Sequence, residues 1–223
     1  MHIPDGFIDL PTSAAFATAS VVAVAGAVKG ARRQLSEQSA PLAGLTAVFI
    51  FAVQMLNFPV AAGTSGHLIG GALAMVLVGP YAATLALVVV LIIQAFLFAD
   101  GGLTALGLSI FNMAVISVWV SFAVFMLLKK ILPKTKSWLV VATFISALIS
   151  VPAAAVGFVI QYAIGANATF SVGAVLNAMV GTHILIGIGE AIITALTVSA
   201  VLASRSDLVF GWDKKNTTLE IRS

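Results

Sequence analysis

The chain contains no cysteine, which excludes thiolate metal sites, disulfides and thiol redox chemistry together. Charge is nearly as scarce: Asp, Glu, Lys and Arg make up 9% of the 223 residues, against roughly a quarter in soluble domains. Only Asp5 and Asp9, and no Lys or Arg, precede the first apolar run. The basic region that opens a secretory signal is therefore missing, and the start reads as mature, with Met1 first. No G-x-x-x-x-G-K-[ST] phosphate loop, no H-E-x-x-H and no paired aspartates at membrane depth occur. The chain is thus not expected to be an enzyme, and any ATP hydrolysis is expected in other subunits.

What the sequence does have is hydrocarbon. Hydrophobic residues make up 61% of it and the mean hydropathy is +1.13. Apolar runs of the length that crosses ~30 Å of hydrocarbon recur. They are continuously apolar rather than alternating, which predicts helices and not a barrel. The expected fold is an all-α integral membrane protein, multi-pass in the cell membrane, with the lipid bilayer as its surroundings. The net charge of +3 reads as orientation in the membrane, not nucleic-acid binding.

Six apolar segments run over 12–28, 41–58, 68–98, 104–128, 138–163 and 172–203. As one helix, 68–98 would reach ~46 Å at 1.5 Å per residue, and Gly79-Pro80 interrupts it where a helix prefers to break. Splitting it gives seven transmembrane helices. The basic clusters Lys29/Arg32/Arg33, Lys129/Lys130/Lys134/Lys136 and Arg205/Lys214/Lys215/Arg222 then share one face. The positive-inside rule makes that face cytoplasmic, with the C-terminus there and the N-terminus outside. The whole of 1–223 is expected to be a single transmembrane domain: an N-terminal metal-binding segment 1–11, a helical bundle 12–203 and a cytoplasmic tail 204–223. The half-pass 68–79 is too short to span alone. Interrupted helices line cavities or protein-filled regions, which makes the loop before it a candidate binding region. Ala15, Ala19, Ala23 and Ala27 form a small-residue stripe on the first segment, suited to contact with a partner subunit or to packing within the bundle.

Two of the three histidines, His2 and His67, fall on the outer face. Removal of an initiator methionine needs a small second residue, and histidine is large, so a free Met1 amine followed by His2 is the expected terminus. The amine and the His2 main-chain nitrogen close a five-membered chelate ring; that nitrogen and His2 Nδ1 close a six-membered one. Three nitrogens then lie in one plane and His67 can complete the square. Deprotonating an amide pays only for an ion that gains strongly from in-plane nitrogen, which points to Ni(II) or Cu(II) rather than Zn(II), Mg(II) or Ca(II). The alternatives are a solvated terminal histidine and a loop histidine bonded to carbonyls. His183 and Glu190 share one face of the last segment with Gly187 between them; ionisable groups at that depth are functional candidates. They serve either as supporting groups behind the metal ligands or in release, or else they lock the bundle. The amides of Gln54, Asn57, Gln94, Asn112 and Gln161 are expected to bond between helices, one or two of them orienting His67 or capping its loop. Asp5, Asp9 and Asp100 are solvated loop acids or attract cations.

MHIPDGF at the start, GTSGHL around His67 and HILIGIGEAIIT from His183 together resemble the substrate-binding membrane component of nickel and cobalt energy-coupling-factor transporters, the CbiM/NikM family. Pro4-Asp5 looks nearer the nickel branch. Ala61-Ala62 stand where the family commonly has Pro-Gly. The resemblance implies seven helices, with an N-terminal segment tucked into the bundle. It implies a Ni(II) or Co(II) cargo held by the Met1 amine, the His2 amide and imidazole, and His67, with no organic cofactor. It also implies partners: a transmembrane coupling protein, two cytoplasmic ATPase subunits and often a small accessory membrane subunit. A stand-alone proton-coupled cation carrier, using His183 and Glu190 as the relay, is the alternative.

Overall fold

A computed structural model of the protein describes residues 1–34, 40–60 and 64–212. Ala61-Ala62 and the basic residues Lys214, Lys215 and Arg222 lie outside the described residues. Among the described residues seven α-helices follow one another: α1 (Leu10–Gln34), α2 (Ala40–Gln54), α3 (Gly71–Val78), α4 (Pro80–Leu97), α5 (Leu106–Ile131), α6 (Lys136–Gly165) and α7 (Val172–Ser204). Five of them, α1, α4, α5, α6 and α7, are long and apolar enough to cross a membrane, and the protein is a multi-pass membrane protein. The architecture is helical except for a short antiparallel hairpin between α2 and α3, β1 (Phe58–Val60) with β2 (Thr64–Gly66). The apolar pattern carried the second segment on to residue 58. Instead α2 stops at Gln54, and the chain from 58 to 66 bonds to itself.

The break expected at Gly79-Pro80 is present. Gly79 has φ 80° and ψ 164°, and Pro80 opens α4 at its first turn, where a missing N–H costs nothing. Contacts then sort the helix ends into two layers. The close of α1 meets the α3–α4 break, since a Cβ on Gly79 would strike the Gln34 side chain and one on Gly30 would strike Tyr81. The segment after α7 lies there too: Phe210 and Gly211 donate N–H to the Leu77 and Val76 carbonyls at 3.3 and 3.4 Å. Lys136, at the start of α6, donates to the Leu202 carbonyl near the end of α7. At the opposite end the Asp9 N–H donates to Gly165 at 2.7 Å and that of Gly102 to Ile3 at 2.8 Å. The seven helices therefore alternate in direction, with the eight-residue α3 preceded by extended chain. The two ends of the described chain lie at opposite ends of the bundle. The basic residues of 29–33, 129–136 and Arg205 gather at the end away from Met1.

Two of the scattered amides hold the bundle: Asn112 Nδ2 donates to Gln161 Oε1 at 2.7 Å, from a π-helical turn (Phe111–Ile116) inside α5. Gly187 lies against the Leu148 carbonyl, with a Cβ there 3.4 Å from it and 3.5 Å from Pro152. Pro152 cannot donate to that carbonyl, so α7 approaches closely at the turn the proline opens. The alanine stripe is not one seam. Ala27 is buried, Ala19 and Ala23 are half-buried and Ala15 is exposed, and α1 approaches α5 closely at Ala17, which a Cβ on Gly107 would strike.

Candidate metal centre

The N-terminal segment enters the protein as an extended strap. Asp9 caps α1 by accepting from Thr12 N at 2.8 Å. Phe7 packs against Tyr162 and Phe158, with ring centroids 5.1 and 5.9 Å away. Asp5 fastens the strap to the loop before α5, accepting from Leu103 N at 3.2 Å, from Thr104 N at 2.8 Å and from the Thr104 hydroxyl. These bonds hold its carboxyl below the usual carboxylate range. Asp5 and Asp9 are thus structural acceptors, a role that loop acidity alone did not reveal. Ile3 donates to Ser109 Oγ at 3.3 Å, and Met1 and Ile3 are fully buried.

This brings the sequence-predicted residues together. His2 and His67 are 4% and 0% exposed, and their rings stand 4.8 Å apart at 31°. The Met1 amine lies close enough to act electrostatically on His2, His67 and His183. Burial lowers that amine from 8.0 to about 4, opposed only partly by Asp100, and lowers His2 to about 3, with the neighbouring amine adding to the effect. At neutral pH both nitrogens are uncharged, and their lone pairs are available.

Hydrogen bonding decides which ring nitrogens are free. The Nδ1 atoms of His67 and His183 face the carbonyls of Leu68 at 2.8 Å and Met179 at 2.7 Å. A carbonyl can only accept, so each Nδ1 carries the proton and each Nε2 a lone pair. Both Nε2 atoms are buried without a hydrogen-bond partner. His2 is the mirror case: Nε2 faces Asp100 Oδ2 at 3.4 Å, too poorly aligned for a bond, yet near enough to favour the tautomer that leaves Nδ1 unprotonated. Since His2 is neutral, this contact is not an ion pair. Asp100, raised by its own burial and lowered by the amine and by Asn57, accepts weakly from Asn57 Nδ2 at 3.4 Å.

A cleft lined by His2, Pro4, Asp5, Ala99, Asp100, Gly101 and Gly102 opens this end of the protein onto His2. Gly101 has φ 95°, and a Cβ there would come within 3.0–3.3 Å of the His2 side chain. Among the described residues no group of three or more His, Cys, Asp or Glu side chains is arranged to hold a metal ion. His183 and Glu190 are buried on the α7 face toward the site. Gln54 Nε2 donates to the Ile69 carbonyl at 2.7 Å, so one of the five amides does cap the His67 loop; Gln94 is buried with neither amide atom bonded.

Residues 2–208 match the model of the CbiM family, described as the cobalt uptake substrate-specific transmembrane region. The chain belongs to the CbiM family. It is 40% identical over 212 residues to a putative metal transport protein of Haloquadratum walsbyi, covering 94% of each chain. It is 32% identical to the cobalt transport protein CbiM of Sorangium cellulosum, again covering 94% of each. It is 39% identical to a putative fused nickel transport protein NikMN of Archaeoglobus fulgidus, spanning 68% of that longer chain. A crystal structure of a transition metal transporter superposes with a TM-score of 0.84 at 30% identity, covering 91% of this chain and 93% of that one.

Proposed function

We propose that this nickel or cobalt transport component captures Ni(II), with Co(II) as the other cargo, as the substrate-specific subunit of an ATP-driven energy-coupling-factor importer. The observation that carries the reading is the complete burial of Met1, with the rings of His2 and His67 4.8 Å apart beside it. The donors are the Met1 amine, the His2 main-chain nitrogen, His2 Nδ1 and His67 Nε2. Four nitrogens in a plane suit Ni(II). The two chelate rings through His2 restrict the ion to metals able to displace the amide proton, and Asp100 orients the imidazole from behind, as carboxylates commonly do for metal-bound histidine.

The end of the bundle that holds Met1 carries Asp5, Asp9 and Asp100, and the opposite end carries the lysines and arginines of the described residues. By the positive-inside rule the site opens to the extracytoplasmic side. The acidic cleft then draws cations inward, and the basic end meets the coupling protein, two ATPase subunits and a small accessory subunit. A single residue added ahead of Met1 tests the chelate. It converts the terminal amine into an amide, whose nitrogen lone pair is delocalised and no longer a ready donor. Nickel affinity measured by calorimetry should fall at least 100-fold while the thermal midpoint of the metal-free protein stays put. Unchanged affinity removes the amine, and with it this site, from consideration.

A further inference from the structure

Glu190 sits on α7, some 120 residues away in sequence from the loop it serves. Its Oε2 accepts from Ile69 N at 2.6 Å and its Oε1 from Gly70 N at 3.0 Å. Gly70, with φ 82°, precedes α3 and offers no side-chain cap of its own; the carboxylate of another helix caps α3 instead. The Ile69 N–H belongs to the same peptide plane as the Leu68 carbonyl, and that carbonyl accepts from His67 Nδ1. One rigid peptide therefore stands between carboxylate and imidazole, with Glu190 on its N–H side and His67 on its C=O side. On the next peptide, Gln54 from α2 holds the Ile69 carbonyl at 2.7 Å.

We propose that Glu190 is the positioning residue for His67, acting through the Leu68–Ile69 peptide. The proposal rests on the nitrogen site described above. Turning that peptide would turn the Leu68 carbonyl away from His67 Nδ1 and release both the tautomer and the ring orientation that leave Nε2 buried and unpartnered, with the His2 ring 4.8 Å away. A carboxylate on a peptide N–H also polarises the carbonyl at its other end, strengthening the bond to Nδ1–H and the donor power of Nε2. The arrangement is the familiar carboxylate–histidine support of a metal ligand, with a peptide inserted. Glu190 touches no metal in this scheme.

Four proteins titrated with Ni(II) by calorimetry, with visible spectra of the loaded forms, test the assignment: wild type, Glu190→Gln, His67→Ala and the double variant. Glutamine keeps the shape but presents an NH2 group to one of the two N–H donors. We expect Glu190→Gln to bind 10- to 100-fold more weakly, the range seen when a supporting group behind a ligand is removed. Its absorption should shift toward that of His67→Ala, and added imidazole should restore the planar-nickel spectrum in both. Because Glu190 works through His67, the double variant should bind within threefold of His67→Ala. Wild-type affinity in Glu190→Gln alongside a weakened His67→Ala overturns the positioning role alone, as do losses that multiply in the double variant. Unchanged affinity in His67→Ala overturns the nitrogen site and this role together. Should Glu190→Gln fail to fold, amide exchange over residues 68–71 of the wild-type protein decides: protection supports the clamp, and exchange at free-loop rates refutes it.

Discussion

Loading the site with Ni(II) at pH 7 should release about one proton per ion. The His2 main-chain nitrogen must lose its proton whatever else happens. The Met1 amine and the His2 imidazole add to the count only if they carry protons beforehand. Burial lowers them from 8.0 to about 4 and from 6.5 to about 3, so at pH 7 both are already neutral. An exposed terminus would instead be about nine-tenths protonated and an exposed imidazole about one-quarter, by the ordinary values of such groups, for a total of about two protons. The sign of the pH dependence follows. A segment out in solvent binds more protons than the docked one between about pH 4 and 8, so docking weakens as pH falls through that window and is complete above it. The slope is about 1.4 kcal/mol per pH unit for each group that titrates. From pH 5 to 7 nickel affinity should therefore rise about tenfold per unit, where an exposed terminus and imidazole would make it rise about 500-fold per unit. Calorimetric titrations in buffers of different ionisation enthalpy read the proton count directly. A release near two protons refutes a buried, neutral amine in the metal-free protein, and a release near zero refutes amide coordination.

Gly101→Ala places a methyl 3.0 Å from His2 Cβ at a backbone φ of 95°, a conformation that costs a side chain about 1–2 kcal/mol. The turn should yield and move His2, weakening nickel binding at least tenfold and lowering the thermal midpoint by about 2–8 °C; undiminished binding would mean that this turn does not set the imidazole. Tyr162→Phe removes a hydroxyl that donates to the Ala168 and Phe170 carbonyls at 2.9 and 2.8 Å. At about 1 kcal/mol for such a bond, the thermal midpoint should fall by about 2–4 °C, and an unchanged melting curve would show those carbonyls well served by water.

The features that local chemistry controls were legible in the sequence. Gly79-Pro80 breaks the helix because one residue adopts positive φ and the next lacks a donor, and both properties travel with the residue type. His2 and His67 could be paired because charge sorted the loops into two faces. What escaped were the bonds that join distant segments. Nothing in the spacing of Asp5 reveals that it accepts from Leu103 and Thr104, or in that of Glu190 that it caps α3, since partners about 100–120 residues away are chosen by packing. Residues 55–58 were read as the end of a helix because Met55, Leu56 and Phe58 are as apolar as the turns before them, whereas α2 ends at Gln54 and the pairing of 58–60 with 64–66 lay within the expected loop. The alanine stripe follows a spacing of four while the helix turns every 3.6 residues, so it drifts from the lipid side to the core instead of marking one contact.

All eight residues of α3 are buried among the other helices, so this element has no boundary with lipid. A thicker or thinner bilayer acts on helices by tilting those whose apolar length no longer matches it. The five long helices feel that adjustment, whereas the short rod under the His67 loop feels it only through its neighbours. The depth and aim of the proposed metal ligands should thereby depend little on the thickness of the membrane in which the protein works.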